Sequence, residues 1–259
     1  MKHTFLLIFT LLSFGFINAQ DKALNNDPGL PPAAVMIDIA YGMQNPYGDM
    51  KTNFNYNYNI GARINYLTPR NWIIAVSGEY LFSDNIKTDV LKPLRESNGN
   101  IIETTGRMGL TQLGERGFMV GGQAGRLIQL GKKTRMHNLE IKFGGAYLQH
   151  WIRIRLLGRP VELPQLFEDY KKGYDRMTSG IALNQYVGYR FMSRSKLVNL
   201  FIGLDFTEGF TYNRRFYNFD TREADTKLHK DILLGFRAGF SIPFFIYSEN
   251  TRNDELEFY

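Results

Sequence analysis

The strongest constraint in this sequence is a strict alternation of apolar and polar residues in the segment 54–66. Every second position there is aromatic, aliphatic or alanine, and the positions between are asparagine, glycine or arginine. The apolar members are Phe54, Tyr56, Tyr58, Ile60, Ala62, Ile64 and Tyr66. A period of two predicts a β-strand with one apolar face, and it excludes an amphipathic helix, whose apolar positions recur every three or four residues.

The same period recurs along the chain and divides it into eight predicted strands. They cover residues 35–43, 54–66, 72–82, 118–124, 139–147, 181–191, 200–206 and 232–244. The connections at 68–71, 131–134 and 193–196 are tight turns, whereas 44–53, 84–115, 151–179 and 211–230 are long loops.

Short turns that alternate with long loops are typical of a transmembrane β-barrel, with its turns in the periplasm and its loops outside the cell. A soluble β-sandwich also alternates, but it has no reason to sort its loops by length to one end. The predicted fold is therefore an all-β, eight-stranded antiparallel transmembrane β-barrel.

Residues 1–19 have the composition of a secretory signal peptide: a basic start, an apolar core too short to span a bilayer, and a small residue before the expected cleavage point. The predicted division is a signal peptide (1–19), a periplasmic leader (20–33), the barrel (34–247) and a periplasmic C-terminal tail (248–259). A retained N-terminal anchor is the alternative for the first segment.

The chain has no cysteine, which excludes disulfides, thiolate metal sites and a lipoprotein anchor.

These features resemble the small eight-stranded outer-membrane barrels of OmpA/OmpX type. The cleavage region Asn18-Ala19-Gln20 and the strands rich in tyrosine and asparagine are similar to outer-membrane proteins of Bacteroidota. The loop segments 114–118, 149–155 and 172–176 resemble those of an uncharacterised barrel family of that phylum. The resemblance implies the outer membrane of a Gram-negative bacterium as the location, and it implies no activity. Residues 248–259 depart from the pattern, since such barrels usually end at an aromatic residue of the last strand.

An eight-stranded barrel is wide enough inside only for its own side chains. The alternation directs eight charged residues toward this interior, four acids and four bases. They are Asp38, Arg63, Glu79, Glu140, Lys142, Arg190, Asp205 and Arg237. Because isolated buried charges are costly, we expect the two signs to pair and to close the interior, which argues against a general porin.

The predicted outer loops carry the remaining candidate residues. The interaction candidates are His150, Trp151, Arg153, Arg155, Phe167, Tyr174, Asp175, Arg176, Arg214 and Arg215. Arginine binds phosphate through paired hydrogen bonds, so one hypothesis is contact with membrane lipid and lipopolysaccharide at the barrel rim. The alternative, which we favour, is ion pairing between loops, since exposed charges contribute little individually. Large apolar loop residues such as Ile152, Leu166 and Phe216 indicate either an interaction surface or loops packed on one another.

Three classes of function are compatible with this sequence. The first is a structural or interaction barrel, including an accessory subunit of an envelope complex, which binds a partner through its extracellular loops or C-terminal tail. The second is a barrel enzyme that modifies lipid A or cleaves proteins, with His150 as base beside Asp175, Thr178 and Ser179. The third is a surface adhesin.

We favour the first class, because the chain shows no acyltransferase or protease signature. No metal-ligand spacing and no cofactor-binding glycine loop is present, so we expect neither a metal nor a cofactor. The net charge of +6 is moderate and contains no long basic block, so we expect no nucleic-acid partner.

Overall fold

A computed structural model of the chain describes residues 33–131, 136–157, 163–167, 169–193 and 199–246. The predicted signal peptide, the leader up to residue 32 and the predicted tail at 248–259 lie outside the described residues. Parts of two predicted turns, at 132–135 and 194–198, lie outside them as well.

Eight long strands form the body of the protein. In chain order they are β1 (Ala33–Gly48), β2 (Asn57–Leu67), β3 (Trp72–Ser83), β4 (Met108–Gln129), β5 (His137–Leu157), β6 (Thr178–Met192), β7 (Asn199–Asn213) and β8 (Leu228–Ile246). The described loop residues include one helical turn, α1 (Met50–Asn53), and three 3-10 turns, at Lys92–Leu94, Pro164–Leu166 and Tyr170–Gly173. They also include a two-residue strand, Ile101–Ile102, which pairs with the start of β4. No helix within the described ranges is long and apolar enough to cross a bilayer.

The eight strands close into a ring in which each strand pairs antiparallel with two neighbours. The seam between the first and last strands runs from Ala33 opposite Ile246 to Gly48 opposite Asp231. On the far side, β3 pairs with β4 from Trp72 opposite Arg126 to Ser83 opposite Glu115. The ring leaves no strand edge within the barrel, so the predicted eight-stranded antiparallel barrel is confirmed.

The outer surface of the ring carries a belt of apolar side chains. Val76 is 62% exposed and Ile181 is 71% exposed, values that suit contact with lipid rather than with a protein core. Other members of the belt are Ile60, Ile64, Ile74, Val120, Leu183, Leu200, Ile202, Leu204, Phe236, Phe240 and Ile242. At the periplasmic end of the belt, Tyr66 and Trp72 flank the turn between β2 and β3. At the loop end, Tyr41, Tyr58 and Phe82 form a cluster in which neighbouring ring centroids lie about 6 Å apart. Aromatic girdles at both ends delimit the membrane-spanning band.

Most strands extend further toward the loops than the sequence predicted. β2 is the exception, because it begins at Asn57 instead of residue 54 and leaves Phe54 outside the strand and buried. Residues 151–157, predicted to begin the third loop, belong to β5, and β4 begins at Met108 instead of near residue 115. His150, Trp151, Arg153 and Arg155 are therefore strand residues and not loop residues. The prediction was wrong because the pattern reverses above the lipid: the outward residues Arg153 and Arg155 face water, and the inward residues Ile152 and Ile154 are apolar.

Glycines in the strand interiors allow adjacent strands to approach closely. Gly144 faces the lumen on β5, and a Cβ atom added there would lie 2.0 Å from the carbonyl oxygen of Gly122 on β4. At the next residue, Gly145, which faces outward, the nearest atom to an added Cβ is the carbonyl oxygen of Ala182 at 3.8 Å. The requirement for glycine therefore belongs to position 144 and not to its neighbour.

We expect Gly144→Ala to destabilise the barrel by about 1–3 kcal/mol, because the added methyl group overpacks the contact between β4 and β5. The measurement is the urea midpoint of refolded protein, followed by heat-modifiable migration on gels. Gly145→Ala is the matched control and should leave the midpoint unchanged. Equal midpoints for the two variants would refute this account of the β4–β5 contact.

Candidate functional site: the sealed interior and the extracellular cap

All eight charged residues predicted to face the lumen lie inside the ring. None is more than 6% exposed, so each charge depends on its neighbours rather than on water. Every barrel strand except β4 contributes at least one of them: Asp38, Arg63, Glu79, Glu140, Lys142, Arg190, Asp205 and Arg237. Together they form a layer of charge across the barrel.

Arg190 is the centre of one half of this layer. Its two terminal nitrogens donate to the two oxygens of Asp38 at 3.0 and 2.6 Å, and its Nε donates to Glu140 Oε2 at 2.7 Å. Lys142 binds the other oxygen of Glu140. One guanidinium thus joins β1, β5 and β6 across the lumen, with both acids neutralised.

Arg237 is the centre of the other half. Its Nη2 donates to Glu79 at 2.7 Å, and its Nε lies 2.7 Å from Asp205 Oδ2. Arg63 approaches Glu79 at 3.6 Å, and Asn59 donates a further hydrogen bond to the same carboxylate. This half joins β2, β3, β7 and β8.

Tyr186 links the two halves, and sequence reasoning missed it. Its ring centroid lies 4.8 Å from Lys142 Nζ and 5.3 Å from the Arg63 guanidinium, so one aromatic ring contacts a cation from each half. The signal was present in the sequence, because Tyr186 has the same parity as the inward Arg190 on β6.

An apolar layer closes the barrel on the loop side of the charges. Leu81, the next inward position after Glu79 on β3, begins this cap core. Its other buried members are Met50, Phe54, Val90, Leu91, Ile101, Met119, Leu148, Ile152, Ile154, Leu163, Leu166, Tyr174, Ala182 and Leu233. Most of the large apolar residues noted in the predicted loops therefore pack on one another. Phe167 and Phe216 do not, being 46% and 95% exposed.

A cavity of about 420 Å³ opens at the loop end of the barrel and is lined in part by His150, Thr178 and Asp231. His150 Nε2 lies 3.0 Å from Asp231 Oδ2 and 2.9 Å from Thr178 Oγ1, and Thr211 donates to the same carboxylate at 2.6 Å. The Thr178 hydroxyl also lies 3.3 Å from Nδ1, but its shorter contact is with Nε2, the nitrogen that Asp231 approaches. A hydroxyl–histidine–acid relay requires them on opposite nitrogens, so this arrangement is not that of a catalytic triad.

The predicted neighbours of His150 separate in the structure. Thr178 contacts it, but Asp175 accepts hydrogen bonds from Arg215, and the Ser179 hydroxyl accepts one from Arg214. The hydrogen bond to Asp175 raises the pKa of the Arg215 guanidinium.

Other loop residues also pair within the cap. Arg176 binds Asp220 and donates to Asn53 at 2.7 Å, while the Tyr174 ring packs edge-on against Phe219. Arg153 and Arg155 differ, because they are exposed on the outer wall of β5. Within the described part of the chain, no group of three or more histidines and acids could hold a metal ion.

No protein-family model matches this chain, and no curated protein sequence matches it either. Three similar solved structures are small outer-membrane barrels. Ail of Yersinia pestis, solved with the heparin analogue sucrose octasulfate, is 10% identical, with a TM-score of 0.41 over 81% of this chain and 99% of its own. Neisserial surface protein A is 12% identical, with a TM-score of 0.41 over 82% and 97% of the two chains. OprG of Pseudomonas aeruginosa is 10% identical, with a TM-score of 0.38 over 84% and 99%.

The assignment of the fold depends on the strand pairing rather than on these likenesses. The Bacteroidota origin stays a prediction.

We expect Arg190→Leu to destabilise the barrel by about 3–5 kcal/mol, because it leaves two buried carboxylates, Asp38 and Glu140, without their main partner. The measurement is equilibrium unfolding in urea, with the protein refolded into lipid vesicles. Arg107→Leu, which removes an exposed arginine from the loop before β4, is the control and should shift the midpoint little. Similar midpoints for both variants would contradict the importance of the Arg190 cluster.

Proposed function

We propose that this chain is an outer-membrane barrel of a Gram-negative bacterium that acts as a structural or interaction protein, for example as an accessory subunit of an envelope complex. The observation that carries the proposal is the double closure of the interior. A layer of paired charges crosses the lumen, and the cap core lies between that layer and the loops. Because these two layers close the lumen, we propose that the protein acts through its outer surface and not through a channel.

The proposed contact surface is the exposed part of the cap. Among the described loop residues, Phe216 and Tyr170 are the most exposed large hydrophobic side chains, at 95% and 65%, and Phe167 is 46% exposed. Aromatic side chains supply much of the binding energy in protein interfaces, so we propose that an envelope protein covers these residues. The C-terminal tail, residues 248–259, is a second proposed contact on the periplasmic side.

The closed interior predicts the electrical behaviour of the protein. In planar lipid bilayers we expect no large stable conductance from the wild type, because the eight charges of the layer are ion-paired with one another and the cap core lies on their loop side. A steady nanosiemens current from the purified wild-type barrel would contradict the proposal. Channel-forming porin added to the same bilayer provides the positive control.

We expect Phe216→Ser combined with Phe167→Ser to reduce the recovery of co-purifying envelope proteins, measured by affinity purification from native membranes in mild detergent. Loss of a hot-spot aromatic residue costs about 2 kcal/mol or more, which weakens binding about thirtyfold, so recovery should fall tenfold or more. Asn98→Ser, at an exposed polar loop position, is the control. Deletion of residues 248–259 tests the tail separately.

A lipid-A-modifying or proteolytic enzyme is the second candidate, because Thr178, His150 and Asp231 meet at the cavity. We rank it lower because hydroxyl and acid share one nitrogen. The same purified protein distinguishes the two functions. If no cap or tail variant changes any association, and the wild type instead deacylates lipid A in a reaction that His150→Ala abolishes, the enzyme replaces the interaction protein.

A further inference from the structure

We infer that the outer wall formed by β4 and β5 binds the phosphate groups of outer-leaflet lipids through Arg153 and Arg155. The inference rests on the proposed outer-membrane location but not on the proposed protein partner. It starts from the direction of the two side chains. Ile152 and Ile154 are 1% exposed and belong to the cap core, so the alternating residues Arg153 and Arg155 face away from the barrel.

The height of the two arginines matches the lipid headgroups. On the same outward face of β5, Tyr147 packs against Phe118 of β4, with ring centroids 5.9 Å apart, and Trp151 follows two outward positions later. These aromatic residues mark the upper limit of the lipid belt. At about 3.3 Å of rise per residue, Arg153 and Arg155 lie about 7 and 13 Å along the strand beyond Trp151. A strand tilt of about 40° reduces these heights to about 5 and 10 Å. Arg153 therefore lies within the headgroup layer, which is about 5–8 Å thick, and Arg155 lies just above it, where its long side chain can reach down to the phosphates.

The two guanidinium groups are unoccupied by acids. Among the described residues, salt bridges hold Arg116 to Asp84, Arg176 to Asp220 and Arg215 to Asp175, but none holds Arg153 or Arg155. Their cross-strand neighbours on β4 are uncharged, since Arg153 lies opposite Gly114 and Arg155 opposite Gln112.

Asp84, the acid nearest to this wall, lies in the same small cleft as both arginines. It already accepts a hydrogen bond from Arg116 at 3.1 Å and one from Gln112 at 3.4 Å. Its charge is therefore matched by Arg116, and the two remaining arginines give this part of the wall a net positive charge.

The chemistry of the wall suits a phosphorylated glycolipid. Two arginines on one face, separated by one residue, present parallel forks of N–H groups, which bind phosphate oxygens bidentately. The belt below them accommodates acyl chains, with Val120, Phe118 and Tyr147 directed outward on the same two strands. Acyl chains and phosphates would thus contact one continuous vertical strip of the barrel.

The test measures lipid A binding to the full detergent-solubilised chain by native mass spectrometry. The probes are diphosphorylated lipid A and the same lipid after enzymatic dephosphorylation. We expect Arg153→Gln combined with Arg155→Gln to weaken binding of the phosphorylated form about tenfold or more and to leave the dephosphorylated form unaffected. Lys171→Gln combined with Lys172→Gln removes the same charge from the cap and is the matched control. Heat-modifiable migration verifies that each variant is folded.

Four results would overturn the inference. The first is equal binding of phosphorylated lipid A by the double arginine variant and the wild type. The second is equal binding of both lipid forms by the wild type, which would assign affinity to the acyl belt alone. The third is full displacement by millimolar inorganic phosphate, which would indicate a site for the free ion. The fourth is a double arginine variant that loses a co-purifying protein but still binds the lipid, because the wall would then be a protein interface. The Phe216 and Phe167 variant, measured in parallel, separates failure here from failure of the proposed partner surface.

Discussion

A backbone that crosses lipid has to satisfy its N–H and C=O groups within the protein, and the rest of this structure depends on that constraint. The ring meets it through the seam between β1 and β8 and the pairing of β3 with β4. Closure at eight strands leaves an interior with room only for side chains. Charges on the inner face therefore become buried whether or not they find partners, and the Arg190 and Arg237 clusters are the arrangement that makes their burial tolerable.

Much of the barrel could be predicted because strand alternation is a local property. A period of two assigns each residue to one face without knowledge of its neighbours in space, so the strands and the inward direction of Arg63, Arg190 and Arg237 followed from the sequence. The partners did not follow. Arg190 binds Asp38, which lies 152 positions away in the chain, and only the ring determines that these two face each other. Tyr186 was missed for the same reason, since its role depends on cations from two other strands.

Prediction from the alternation failed at the loop end of the strands, where the outward face of the barrel passes from lipid into water. Below the girdle an outward residue faces lipid and is apolar, but above it an outward residue faces water and is polar. Arg153 and Arg155 were therefore assigned to a loop although they continue β5. The surroundings of His150 show the second limit: Thr178 was among its expected neighbours, but Asp231, 81 positions further along the chain, was not.

The absence of β4 from the charge layer makes the mechanical stiffness of the ring uneven. Ion pairs connect the other seven strands to one another across the lumen, and these connections resist deformation of the ring. β4 contributes Met119 and Gln123 to the interior, together with glycines at 121 and 125, and it pairs with β3 and β5. Its buried acid, Glu115, lies outside the charge layer and accepts a hydrogen bond of 2.8 Å from Asn57 of β2. We therefore expect the wall to bend most easily along β4, which with 22 residues is also the longest of the eight strands and whose first residues lie beside Arg153 and Arg155.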